Sequence, residues 1–168
     1  MHLHRCQGPR LQGFADTPSP TQRSRTSMKS LEPMLNTHPR SGSLDRTALL
    51  ACLRECHDCA TACTICADAC LGEEKVQMLV RCIRLNLDCA DVCYATGRVL
   101  ARQTEADLST LREMLQACAH ACEVCGAECA RHAEMHEHCR VCEESCRRCA
   151  EACNRLLQTA RRLKSNPA

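Results

Sequence analysis

Residues 52–70 read CLRECHDCATACTICADAC, with cysteines at 52, 56, 59, 63, 66 and 70. The steps between them are 4, 3, 4, 3 and 4 residues. At ~100° per residue, all of them fall within an arc of ~80° on one face of a helix. A strand would scatter the same residues over both of its faces, so this spacing decides the local structure. Cys52, Cys56, Cys59, Cys63, Cys66 and Cys70 therefore form a single stripe at the a and d positions of a heptad, where a helical bundle normally keeps leucine.

The pattern recurs along the chain. Cys118, Cys122, Cys125 and Cys129 are spaced 4, 3, 4, and Cys139, Cys142, Cys146, Cys149 and Cys153 are spaced 3, 4, 3, 4. A further segment carries Cys82, Cys89 and Cys93, and the gap in its ladder falls on Asn86. Asn86 reads as a hydrogen-bonded register residue in the core, with a weak oxygen ligand or a deliberate gap in the site as the alternative. Together the stripes bring 18 of the 19 cysteines to one interior.

Four proline-free segments carry these stripes. The first opens at Ser43 as N-cap and closes at Leu71-Gly72. The second runs from about Glu74 to Arg102, the third from a capping arrangement at Thr104 and Asp107 to about Ala133, and the fourth from about His136 to Lys164. Loops this short force antiparallel packing between sequence neighbours. The expectation is an all-α, up-down-up-down four-helix bundle over residues 44–164 with cysteines lining its core, followed by a tail at 165–168. Residues 1–43, rich in Ser, Thr, Pro, Arg and Gln, read as a flexible N-terminal extension. Within it Cys6, His2, His4 and His38 are not ligand candidates, and Met28 and Met34 are alternative start positions. His57 and His120 lie off the stripes and read as ordinary surface residues.

Composition narrows the function. Lys and Arg total 22 against 20 Asp and Glu, with both signs interspersed, which gives no basic face for nucleic acid or an anionic membrane. No stretch approaches the ~20 apolar residues of a membrane span, and no apolar run near the N-terminus resembles a secretory signal. The chain is thus expected to be cytoplasmic, where cysteine patterns serve metals or redox chemistry more often than cross-links. Structural disulfides fit poorly, because cysteines on one helix stripe cannot all pair with each other. A thiol redox enzyme or an iron–sulfur protein needs two to four specific cysteines rather than ladders, so the chain does not read as an enzyme.

Ladder thiols on adjacent turns stand ~5–6 Å apart at Cβ, close enough to grip one ion between them. Cu(I) is soft, favours thiolate and accepts few ligands; Zn(II) asks for four in a tetrahedron. A tetrathiolate zinc site carries a charge of −2, and stacking several in a dry core would accumulate uncompensated charge. One Cu(I) per thiolate is neutral. The metal-free thiols in turn pack as small hydrophobes, so the empty protein is expected to stay folded. The chain is therefore expected to store many Cu(I) ions, about one per core thiolate. A zinc or cadmium thiolate sink is the alternative.

The heptad register also gives the bundle a direction. Extended past the cysteines it reaches Leu49, Leu100, Leu108, Leu111, Leu115, Leu156, Ala160 and Leu163, all at the end that carries the chain termini. At the opposite end the ladder continues to His132 and His136, with Met135 and His138 beside them, while Leu79 is on register and Met78 flanks it. That end is expected to admit copper, passing it from imidazole or thioether to thiolate.

The segments CLRECHDCATACTICADAC, CIRLNLDCADVC, CAHACEVCGAECARH and HEHCRVCEESCRRCAEAC resemble the cysteine-rich four-helix-bundle copper storage proteins of bacteria. The resemblance covers residues 44 to 160 and includes all four ladders. It implies Cu(I) binding by the 18 ladder cysteines with His132 and His136 near the mouth, a homotetramer, and the cytosolic type of the family. Residues 1–43 are not covered by it.

Overall fold

The computed structural model describes residues 28–40 and 42–164, with side chains described as far as residue 160. Cys6, His2, His4, the Leu163 side chain and the 165–168 tail lie outside the described residues. Among them are a short helix α1 (Leu31–Asn36) and four long ones: α2 (Arg46–Leu71), α3 (Val80–Leu100), α4 (Leu108–Ala130) and α5 (Glu137–Lys164). A single 3₁₀ turn, Val76–Met78, precedes α3.

The long helices form where the ladders predict them, with ends set by local chemistry. α2 is capped by Asp45 rather than Ser43: its carboxylate accepts from the Ala48 amide at 2.8 Å. α4 is capped by Asp107 rather than Thr104. The Asp107 Oδ1 accepts from the Thr110 amide at 2.6 Å and from the Ser109 hydroxyl at 2.7 Å, and these bonds hold its pKa down to about 2. The third segment ends at Ala130, three residues before the expected Ala133, because residues 131–135 turn toward α5. The second begins at Val80 rather than Glu74, the intervening residues being turn and 3₁₀.

Each long helix packs against both of its neighbours, α2 on α3 and α5, and α4 on α3 and α5. Sulfur contacts give the directions. Cys52 meets Cys153 and Cys66 meets Cys139, so α2 and α5 run antiparallel; Cys82 meets Cys129 and Cys93 meets Cys118, so α3 and α4 do too. The result is the expected antiparallel four-helix bundle. No described helix is long and apolar enough to cross a membrane.

Close approach of α2 and α3 depends on Gly97. A Cβ there would meet His57 Nε2 at 3.1 Å. His57 consequently departs from the surface role expected of it: its half-buried ring lies against α3, edge-on to Tyr94 at 5.9 Å, and burial lowers its pKa. His120 is exposed, as expected.

The leucine end is closed. Leu49, Leu53, Leu100, Leu115 and Leu156 are at most 1% exposed, Leu111 and Leu157 are buried, and Leu108 and Ala160 are partly covered. The extension reading needs correction here. Within residues 1–43, α1 lies over this end, with Leu35 buried in the core and Leu31 packed beside it, as is Leu44 just beyond. Glu32 pairs with Arg54 at 3.1 Å and Asn36 Oδ1 accepts from Arg46 at 2.6 Å, tying α1 to α2. Three leucines in a polar stretch suffice because a ready-made apolar surface awaits them.

Candidate metal centre

Heptad spacing turns every ladder cysteine inward. All 18 are at most 1% exposed and all are free thiols. Their sulfurs meet across helices at 3.4 Å for Cys93 and Cys122, 3.6 Å for Cys63 with both Cys142 and Cys146, and 3.7 Å for Cys52 and Cys153. These are contacts of unbonded sulfurs, well beyond the ~2.05 Å of a disulfide.

The thiols gather into sets of four whose sulfurs all lie within 4.8 Å of one another. One set is Cys56, Cys118, Cys149 and Cys153; others are Cys59, Cys93, Cys122 and Cys149, then Cys59, Cys63, Cys89 and Cys146, then Cys63, Cys125, Cys142 and Cys146. Successive sets share members: Cys149, Cys59, Cys63 and Cys146 each belong to at least two. A sulfur shared between sets can bridge two ions. Nearest the histidine end stand Cys66, Cys70, Cys82 and Cys139. Burial pushes the Cys70 thiol up to about 11, and burial likewise raises Cys139, so these groups are protonated at neutral pH when metal-free.

Asn86 is fully buried and hydrogen-bonded, and its partners are mostly the thiols themselves. Its Nδ2 donates to the Cys82 carbonyl at 2.9 Å, to Cys82 Sγ at 3.3 Å and to Cys129 Sγ at 3.4 Å. Its Oδ1 accepts from Cys142 at 2.9 Å and Cys125 at 3.5 Å. Asn86 is thus a hydrogen-bonded core residue, and its amide adds one oxygen to the thiol lining.

Three imidazoles line the mouth, each in a different setting. His132 is nearly buried, with Nε2 3.3 Å from Glu128 Oε1. Glu128 is itself only 8% exposed and takes guanidinium contacts from Arg81 at 3.2 Å and Arg131 at 3.3 Å, which offset the cost of burying its charge. His136 places Nδ1 3.0 Å from Glu73 Oε1. His138 places Nε2 3.2 Å from the same oxygen, and its Nδ1 is 3.4 Å from Cys66 Sγ and 3.5 Å from Cys139 Sγ. Of the mouth histidines, His138 is the one in contact with the thiols, although the register favoured His132 and His136. The Glu73 carboxyl is held below its ordinary range by the His138 hydrogen bond, with His136 adding to it. Met78 and Met135 are 65% and 66% exposed and stand outside, while Leu79 is buried beneath the rim.

Glu73 and Glu128 went unrecognised in the sequence. Glu128 had a signal, four residues before His132 on one helix. Glu73 had none, since its partners lie more than sixty residues away.

Residues 45–158 match the copper storage protein family. Among solved structures, the chain is 55% identical to the Streptomyces lividans copper storage protein Ccsp loaded with 10 copper equivalents, covering 77% of this chain and 98% of that one with a TM-score of 0.75. It is 58% identical to the cytosolic copper storage protein from Streptomyces lividans carrying five coppers, over 67% of this chain and 94% of that one, with a TM-score of 0.67. It is 38% identical to Cu(I)-bound BsCsp3, over 64% of this chain and 95% of that one, with a TM-score of 0.57. The cysteine-rich protein YhjQ of Bacillus subtilis, described as uncharacterized, is 41% identical over 92 residues, 55% of this chain and 80% of that protein. With the family match spanning most of the chain and the thiol network that such a match requires in place, the chain belongs to the copper storage protein family.

Proposed function

We propose that this protein is a high-capacity cytosolic store that holds Cu(I) on Cys52, Cys56, Cys59, Cys63, Cys66, Cys70, Cys82, Cys89, Cys93, Cys118, Cys122, Cys125, Cys129, Cys139, Cys142, Cys146, Cys149 and Cys153. It has no catalytic turnover, and it assembles as the homotetramer that its family resemblance implies. The observation that carries this reading is the overlap between four-thiol sets. Discrete tetrahedral zinc sites need sets that share nothing, because each ion consumes four sulfurs and leaves a charge of −2. Cu(I) tolerates two or three sulfurs and shares them, so a continuous network fills without accumulating charge.

Copper loads through the histidine end. His132, His136 and His138 supply borderline nitrogen ligands between solvent and thiol, and the exposed thioethers of Met78 and Met135 offer a soft first contact at the rim. The opposite end is packed with leucine beneath α1.

Anaerobic titration of the reduced protein, counting metal retained after desalting, tests the reading. Retention of about 18 Cu(I) per chain, with roughly four or five Zn(II) at most, is the expected result. Saturation near two to four Cu(I) would contradict storage and favour a carrier or a redox protein.

A further inference from the structure

Glu73 sits in the turn after α2, where its backbone amide donates to the carbonyl of the ladder residue Cys70 at 3.4 Å. From there a single carboxylate oxygen reaches across the mouth to two rings at the start of α5, His136 Nδ1 at 3.0 Å and His138 Nε2 at 3.2 Å. The two rings lie 5.4 Å apart and tilted by 32°. Beyond His138, Nδ1 faces Cys66 on α2 and Cys139 on α5, both members of the outermost four-thiol set. The order in space is carboxylate, imidazole, then two thiols from two helices.

That order fixes a proton. An ionised carboxylate accepts hydrogen bonds and donates none, so the nitrogen facing it carries the N–H. In neutral imidazole the other nitrogen then holds the lone pair. For His138 this puts the proton on Nε2, toward Glu73, and the lone pair on Nδ1, toward Cys66 and Cys139. The opposite tautomer would point an N–H at the sulfurs and present no ligand. Carboxylate partners of metal-binding histidines act in this way, and losing one typically costs ten- to a hundredfold in affinity or activity.

We propose that Glu73 is a positioning residue for copper loading, which holds His138 in the tautomer and orientation that hand Cu(I) to Cys66 and Cys139. His136 grips the same oxygen from the other side and keeps the carboxylate over His138. This inference rests on the copper-storage reading, but part of its test needs no copper.

The test uses the full-length reduced protein as wild type, Glu73→Ala, Glu73→Gln, His138→Ala and the double variant Glu73→Ala/His138→Ala. Nitrogen-15 NMR of the imidazoles in metal-free protein should show His138 protonated at Nε2 in the wild type and mixed tautomers in Glu73→Ala. Stopped-flow mixing with the first equivalents of Cu(I) should be slowed by roughly tenfold in Glu73→Ala, and Glu73→Ala should slow the His138→Ala protein no further. Glu73→Gln, whose amide oxygen still accepts from Nε2–H, should keep the tautomer and load close to wild type. An unchanged tautomer in Glu73→Ala would overturn the proposal. So would equal slowing in the His138→Ala background, or loading of Glu73→Gln as slow as that of Glu73→Ala. If wild type itself fails to retain many copper ions, the storage reading falls separately, and the tautomer result still stands on its own.

Discussion

The two ends of the bundle are made from the same helices in the same register, yet they have become different materials. At the end beneath α1, positions that continue the ladders hold Leu49, Leu100, Leu111, Leu115 and Leu156, which interlock with little or no exposure. At the other end the continuing positions hold imidazoles tied to carboxylates, and the large apolar side chains Met78, Val80 and Met135 stand in solvent. Between them lies a shaft of thiols. A thiol buries less apolar surface than a leucine, so the leucine end supplies a disproportionate share of the hydrophobic stabilisation and the shaft is left free to change its contents.

The largest effect should come from breaking the closed end. Leu156→Ala removes a fully buried side chain from the closed end, at a cost of about 2–5 kcal/mol in the metal-free protein. Denaturant unfolding followed by circular dichroism should show it, while the Cu(I) count at saturation stays that of the wild type. Cys146→Ala should do the reverse. It removes one sulfur that belongs to at least two four-thiol sets, so it lowers capacity while disturbing apo stability much less. If Cys146→Ala destabilises as strongly as Leu156→Ala, the division of labour between end and shaft is wrong.

At the mouth the expected effects are kinetic. Replacing His132 and His136 together with leucine makes this end resemble the other, and should slow loading by roughly tenfold or more with final capacity nearly intact. A loading rate equal to wild type would move the copper route elsewhere. Loading should also be linked to protons. The Cys70 thiol, raised to about 11, and the Cys139 thiol, also raised, are protonated at pH 7 and must lose their protons to bind metal. These two thiols should each release a proton as metal binds at the histidine end, measured with an indicator dye in weak buffer during the first additions of Cu(I). Because binding releases protons, apparent affinity should fall as pH falls. Uptake with no proton release would mean that the resting network already holds thiolates.

How far this comparison could be read from sequence depends on the range of the interactions involved. The ladders, the bundle, the leucine end and the histidines were legible because a heptad repeat makes burial a matter of counting residues. Asn86 was legible as a gap, but its four sulfur partners come from three helices and only the fold reveals them. The caps at Asp45 and Asp107 were displaced because Ser, Thr and Asp all cap, and several stood close together at each helix start. The covering role of α1 was hidden, since Leu31, Leu35 and Leu44 form no strong period among polar residues. Glu73 and its grip on His136 and His138 link two turns far apart in sequence. Burial of His57 came from a glycine on another helix.

The smallest effect concerns the two methionines. Their sulfurs are soft ligands, and sequence position alone set them beside the histidines. Yet Met78 and Met135 are 65% and 66% exposed, against 9% for His132. An exposed, unbranched side chain with three rotatable bonds must give up its freedom to hold an ion, so it contributes encounter rather than binding. Met78→Leu with Met135→Leu should therefore reduce the loading rate by only about twofold and leave capacity and stability unchanged, as judged by stopped-flow loading and thermal melts. A drop as large as that of the histidine variant would show that the route begins on the thioethers, and would extend the functional difference between the two ends beyond the buried imidazoles to the rim.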